Sequence, residues 1–194
     1  MFFLIMPKAY PKTYVTFTHK NRKYKAMLRP IQKGDRVLLN QTYGSKDAMK
    51  YYMNGIVRPT NEIDRRFLRY IQWTQDPQCP WVHMLAFVGH KFVGSIMIEP
   101  ETGQAEISYV LTPQFWNKGF GTYLTREVIH IVRPHLPKNV TKIVATARAE
   151  HIGSIKVLER NGFVKQKCIT HVRSADVSYT AADDRLLYVK DLIS

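Results

Sequence analysis

Acidic residues and cysteine are scarce in this chain. Only 15 Asp/Glu stand against 29 Lys/Arg among 194 residues, which leaves a formal net charge of +14. The two cysteines, Cys79 and Cys168, exclude a disulfide framework and any four-cysteine zinc site, and no metal site is expected. No run approaches the ~20 apolar residues that a bilayer span needs. The apolar opening Met1–Met6 lacks a basic flank, is shorter than a signal-peptide core and is closed by Pro7. It reads as a β-segment, an unstructured end, or a leader before a second start at Met6. The expected setting is a reducing cytoplasm, with no membrane partner. Repeats and low-complexity linkers are absent. A 45% hydrophobic and 23% charged composition is ordinary globular usage and excludes disorder as the main state.

The excess charge is uneven. Residues 1–50 hold eleven Lys/Arg against two Asp/Glu, so +9 of the +14 sits in the first quarter, densest from Lys20 to Arg29. Charge of this size is either a solvated surface that aids solubility or a docking face for an anionic partner. Because it lies outside the site motifs below, the basic quarter is expected to dock an acidic macromolecule rather than to serve a small ligand. Residues 1–25 are read as a basic extension and 26–194 as the main domain.

Tyr14–Thr18 alternates aromatic or β-branched residues with Thr, and the pattern resumes after His19-Lys20-Asn21-Arg22. That predicts a β-hairpin leading into a strand at Ala26–Leu28. A polar, helical region is expected over 34–52, then a helix from Thr60 with Ile63, Phe67, Tyr70 and Ile71 on one face. Strands over 81–88, 91–99 and 106–111 are separated by short Gly-containing breaks, which suit an antiparallel meander. A helix with Leu124, Val128, Ile131 and Val132 inward follows, then a buried strand Lys142–Ala147. A short helix ends at Asn161-Gly162, and strands near 166–172 and 178–189 finish the chain. Antiparallel strands first and βαβα later give an α+β three-layer fold, a mixed, mostly antiparallel sheet flanked by helices.

The most chemistry lies between Glu106 and Thr122. A strand runs into a turn carrying Gly119 and Gly121, and that turn opens a helix. Bare backbone at a helix start presents unpaired N–H groups and a partial positive charge, which together hold a phosphate or diphosphate. Lys118 adds a full charge there. The segment is not a Walker A loop, because Gly-x4-Gly-Lys-Ser/Thr is absent. Nor is it the dinucleotide fingerprint: Leu124 stands where the third Gly belongs, and Thr141 stands where the acidic residue belongs.

Leu111-Thr112-Pro113 followed by Trp116-Asn117-Lys118-Gly119-Phe120-Gly121 resembles the acetyl-CoA signature of the GNAT N-acetyltransferases, Gln/Arg-x-x-Gly-x-Gly/Ala. Trp116 in the first position is similar to the branch containing ribosomal-protein N-terminal acetyltransferases. The opening Leu28-Arg29-Pro30-Ile31 and the later Val157-Leu158-Glu159-Arg160-Asn161-Gly162-Phe163 agree with it. The resemblance spans about residues 26–172. It implies acetyl-CoA as co-substrate, held by Asn117, Lys118, Gly119, Phe120, Gly121 and Thr122, with contacts from His151 and Ser154. It implies oxyanion donors among the backbone N–H groups of Tyr109, Val110 and Leu111. Two departures stand out. The family Asn before the last helix is His151, which is either a surface residue at a helix start or an altered contact to the pantetheine arm. The family's acidic Tyr falls at Leu158, which has no proton to give.

The chemistry implied is direct attack of a neutral primary amine on the thioester. Ser154 is the candidate general acid or, alternatively, a helix cap. Glu106 is the candidate base or an exposed strand-end carboxylate. The branch the chain resembles implies a protein N-terminal amine as acceptor; a small-molecule acetyltransferase acting on an antibiotic or polyamine is the alternative. A third reading is a basic nucleic-acid-binding protein that stacks bases on Tyr10, Tyr14, Phe17 and Tyr24.

Overall fold

Alternating Thr with aromatic and β-branched residues builds strand β1, Thr13–His19, which pairs antiparallel with β2, Arg22–Pro30. The computed structural model describes residues 10, 12–52, 55–171 and 183–192. The link between β1 and β2 is the two-residue turn Lys20-Asn21, with φ of 46° and 63°. Both angles lie in the left-handed region, as a turn matching the twist of a hairpin requires. β2 pairs onward with β3, Val82–Val88, so the hairpin is one edge of the main sheet. The expected division between residues 25 and 26 therefore falls inside β2.

The segment expected as one polar helical region is broken into a 3-10 turn, Lys33–Leu39, and two short helices, α1 (Asn40–Tyr43) and α2 (Lys46–Met49). Gly44 ends α1 and the Ser45 hydroxyl accepts from Ala48 N–H to start α2, so two local signals interrupt the run. Arg29 fixes where this segment leaves β2. Its guanidinium donates to both carboxylate oxygens of Asp35 at 2.6 and 2.7 Å, and Gln32 N–H donates to the same group.

Helix α3 runs Thr60–Gln75 and buries Ile63, Tyr70 and Ile71, the expected face. β3, β4 (Lys91–Pro100) and β5 (Gln104–Leu111) form the expected meander. Helix α4, Phe120–Val132, buries Leu124, Val128 and Val132, with Ile129 deeper than the expected Ile131. β6 is Lys142–Ala147 and α5 is Ile152–Arg160, closed by Gly162 at φ +76°. β7 (Val164–His171) and β8 (Asp183–Asp191) complete the sheet; Val172 and residues 178–182 of the expected strands lie outside the described residues.

The strand order is β1-β2-β3-β4-β5-β6-β8-β7, and among the described residues only β5 and β6 run parallel. Each sheet face carries its own core. On one face α1–α3 pack Tyr43, Met49, Ile63 and Tyr70 against Leu85, Phe87 and Val110. On the other α4 and α5 pack Phe120, Leu124, Val128 and Leu158 against Ile96, Ile107 and Ile143. This is the three-layer, mostly antiparallel α+β fold expected. Of the four aromatics considered for base stacking, Phe17 is buried, Tyr10 and Tyr24 pack on the second core, and only Tyr14 is exposed. Among the described residues no helix is long and apolar enough to cross a membrane, and no cluster of His, Cys, Asp or Glu could hold a metal ion.

Candidate active site

β5 and β6 are paired over three residues only, Gln104↔Lys142, Ala105↔Ile143 and Glu106↔Val144. Beyond Glu106 the strands part: β5 stays on β4 up to Gly94↔Leu111, while β6 stays on β8. The sheet therefore opens as a wedge with Glu106 at its apex. A cavity of about 610 Å³ runs through the wedge and joins its two faces. Ala145, Thr146 and Ala147 line the β6 side, and their small side chains leave the space open.

The ladder decides which backbone groups enter the wedge. Thr112 N–H donates to Val93 O, and the β4–β5 register is unbroken from Gly94↔Leu111 to Pro100↔Ala105. Antiparallel alternation then turns Val110 N–H toward β4 and the N–H groups of Tyr109 and Leu111 into the wedge. Side chains alternate as well. Glu106 and Ser108 share the α1–α3 face with Val110, while Tyr109 and Leu111 share the α4–α5 face with Ile107.

The β5–α4 loop leaves the strand through a 3-10 turn, Pro113–Phe115, and Trp116 closes it by donating its indole N–H to Leu111 O at 2.9 Å. Gly119, at φ +81°, is the N-cap of α4, and no side chain caps that helix. The first-turn N–H groups of Phe120, Gly121 and Thr122 thus lack helical acceptors where Asn117, Gly119, Phe120, Gly121 and Thr122 line the cavity. The glycines are needed for packing too. A Cβ on Gly119 would lie 2.9 Å from His19 Nδ1, and one on Gly121 would lie 2.8 Å from Val157 Cγ2. Lys118 is not brought in: its ammonium donates back to Gln114 O at 2.5 Å.

Ser154 lies across the wedge on α5. It is buried at 7% exposure, and its hydroxyl is 2.8 Å from the Tyr109 hydroxyl. The N-cap of α5 is His151, so Ser154 sits in the first turn and does not cap the helix. Burial pushes the Tyr109 phenol well above its ordinary range, with the Ser154 hydrogen bond opposing, so the phenol keeps its proton. Leu158 is fully buried in the core. Position 158 thus offers no proton, whereas the Tyr109 hydroxyl, bonded to Ser154 one turn earlier on α5, does, and no local pattern in the sequence indicates that contact.

His151 is half-buried, stacked on Tyr51 with ring centroids 4.7 Å apart, and burial lowers its pKa. That stack joins the end of α2 to the start of α5 across the cavity. Asp47 on α2, with Tyr51 and Tyr52 just after it, forms this wall of the cavity, and nothing in a polar stretch of sequence shows that it folds over a distant strand. On the α4 side His19 and Lys20, from the hairpin tip, also line the cavity. The tip of the basic quarter is therefore part of this site, against the expectation of a wholly separate docking face.

The comparisons agree with this geometry. Residues 25–164 match the family model described as the acetyltransferase (GNAT) domain. No curated protein matches. Among solved structures, RimL, the ribosomal L7/L12 alpha-N-protein acetyltransferase in complex with coenzyme A, is similar with a TM-score of 0.68 and 19% identity over 86% of this chain and 93% of that one. Spermidine N-acetyltransferase from Vibrio cholerae, with CoA and spermine, gives 0.67 and 15% over 86% and 95%. Aminoglycoside acetyltransferase AAC(6')-Ib with coenzyme A gives 0.67 and 16% over the same shares. At these identities the neighbours show the fold, and the family match covers most of the chain. The chain belongs to the GNAT acetyltransferase family.

Proposed function

We propose that this enzyme transfers the acetyl group of acetyl-CoA to a primary amine, with donor and acceptor meeting in the β5–β6 wedge. The observation that carries the reading is one continuous cavity with uncapped helix N–H groups at one end and Glu106 near the other. The residues present fit the donor: a bare-backbone cradle for its diphosphate and an open strand edge for its arm. Acetyl-CoA, when bound, supplies a thioester carbonyl and a thiolate leaving group.

Each part of the wedge has a task. The N–H groups of Tyr109 and Leu111 face the opening and stabilise charge on the carbonyl oxygen. Glu106 and Ser108 stand two residues apart on the acceptor face, and the Ser108 hydroxyl is buried without a protein hydrogen-bond partner among the described residues. Glu106, directly or through water, takes the proton of the attacking amine. Tyr109 and Ser154 give a hydrogen bond to the departing sulfur. A thiol pKa of about 8.5 lies below that of the raised phenol, so Tyr109 stabilises thiolate more readily than it protonates it. Holding both reactants here makes the attack nearly unimolecular.

The acceptor we favour is a protein N-terminal amine, entering past Tyr51 and Tyr52. Asp47 and Glu106 both line the cavity, which supports a second reading, a small cationic amine, because carboxylates raise the local concentration of cations. The test is mass-spectrometric acetylation of a panel of peptide N-termini, polyamines and aminoglycosides with acetyl-CoA. Acetylated peptide α-amines support the first reading and acetylated small polycations the second. No transfer to any amine, with the protein folded, sinks both.

A further inference from the structure

The phosphates of CoA carry several negative charges, and the groups at the loop cradle compensate little of that. A helix N-terminus supplies about half a charge. Lys118, the cation nearest in sequence, is turned back onto Gln114 O. Cationic side chains stand on two other elements: Lys20, with the hydrogen-bonding ring of His19 beside it, lines the cavity from the hairpin tip, and Lys156 and Arg160, one helical turn apart, line it from α5. Among the described residues none of the four has a carboxylate partner.

The tip is held in place by contacts of its own. Tyr123, in the first turns of α4, donates its hydroxyl to Thr18 O at 3.2 Å. Phe17 stacks on the Tyr123 ring at 4.4 Å and meets Phe120 edge-on at 5.0 Å. His19 then packs so closely on the loop that Gly119 could not carry a Cβ without meeting its ring. The hairpin is thus fastened to the helix whose N-terminus faces the cavity, with its cationic turn pointed along that opening. Other charges of the basic quarter are used elsewhere: Lys12 and Lys25 sit over the exposed ring of Tyr14.

We propose that the β1–β2 hairpin is a second jaw of the phosphate site, in which His19 and Lys20 contact the phosphate groups of the CoA nucleotide opposite the amides of Phe120–Thr122. The proposal rests on acetyl-CoA being the donor. It gives the N-terminal extension a role in cofactor retention, and it makes CoA affinity depend on salt through charges lying about a hundred residues from the loop in sequence.

The experiment is calorimetric titration of the full chain, wild type against Lys20→Asn and His19→Gln, with acetyl-CoA, acetyl-3′-dephospho-CoA and S-acetylpantetheine. Asn suits the left-handed turn, so Lys20→Asn removes charge while keeping the hairpin, and melting temperature checks this. The expected result is roughly tenfold weaker acetyl-CoA binding, about 1.4 kcal/mol, with S-acetylpantetheine unaffected. A loss that persists with the dephospho compound places the contact on the diphosphate; a loss that disappears places it on the 3′-phosphate. Acetyl-CoA affinity within twofold of wild type in both variants overturns the hairpin's role, as does an equal loss with S-acetylpantetheine. A wild-type protein that binds no acetyl-CoA overturns the donor assignment along with it.

Discussion

At the scale of single residues, the roles proposed for Tyr109 and Ser154 can be separated by substitution. Their hydroxyls lie 2.8 Å apart across the wedge, on a strand and a helix separated by 45 residues. If they act together on the departing sulfur, Ser154→Ala and Tyr109→Phe should each lower kcat while leaving KM for acetyl-CoA nearly unchanged. We expect a loss of about 10–100-fold, below the roughly 10²–10⁴ of a demanding proton transfer, because thiolate is a fair leaving group. The double variant should lose much less than the product of the two single losses, since each removes the same hydrogen bond. Steady-state rates beside melting curves check this, and single variants that turn over at the wild-type rate would contradict it. A second residue acts on stability. His83 is fully enclosed, edge-on to Tyr70 at 4.2 Å, and neither ring nitrogen has a hydrogen-bond partner among the described residues. Burial lowers its pKa from 6.5 to about 3, with nearby Asp35 opposing. The unfolded chain then binds the extra proton and the folded chain does not, so stability is full above about pH 6.5 and falls as pH drops from there toward about 3. The slope contributed is at most about 1.4 kcal/mol per pH unit. Urea unfolding at pH 7 and pH 5 should show a shallower decline for His83→Phe than for wild type; equal declines would remove His83 as the cause.

Elements differ in how far their residues declare them. β6 agrees residue for residue with the expected Lys142–Ala147, because a short β-branched run between polar breaks has few other homes. The α3 and α4 faces follow the 3.6-residue period directly. The segment 33–52 does not, because its elements of four to seven residues are too short for periodicity to rise above local capping. What holds that segment is the Arg29–Asp35 fork, a non-helical contact that no spacing rule predicts. Asp35→Asn should therefore cost about 1–3 kcal/mol in chemical denaturation, the range for a charge-assisted bond at a partly buried site. Because α2 and the turn after it carry Asp47 and Tyr51, KM for the acceptor should rise more than KM for acetyl-CoA. An equal rise in both would mean that this wall does not shape the acceptor side.

For the whole molecule, the proposed function follows from where one parallel strand pair comes apart. The loop chemistry between Glu106 and Thr122 was legible, since glycines at a strand-to-helix junction announce exposed N–H groups. The wedge was not, because three paired residues between β5 and β6 followed by none is a property of the assembled sheet. The hairpin's position was equally hidden, as Thr18 and Tyr123 meet across 105 residues. The same assembly explains the fold in physical terms: two cores on two sheet faces, with a gap between them where β5 and β6 part. The most direct test is a crystal structure of the chain with acetyl-CoA. The account predicts the diphosphate against the N–H groups of Phe120–Thr122, and the thioester carbonyl oxygen about 2.7–3.1 Å from the N–H of Tyr109 or Leu111. A donor bound outside the wedge, or a thioester turned away from β5, would contradict it.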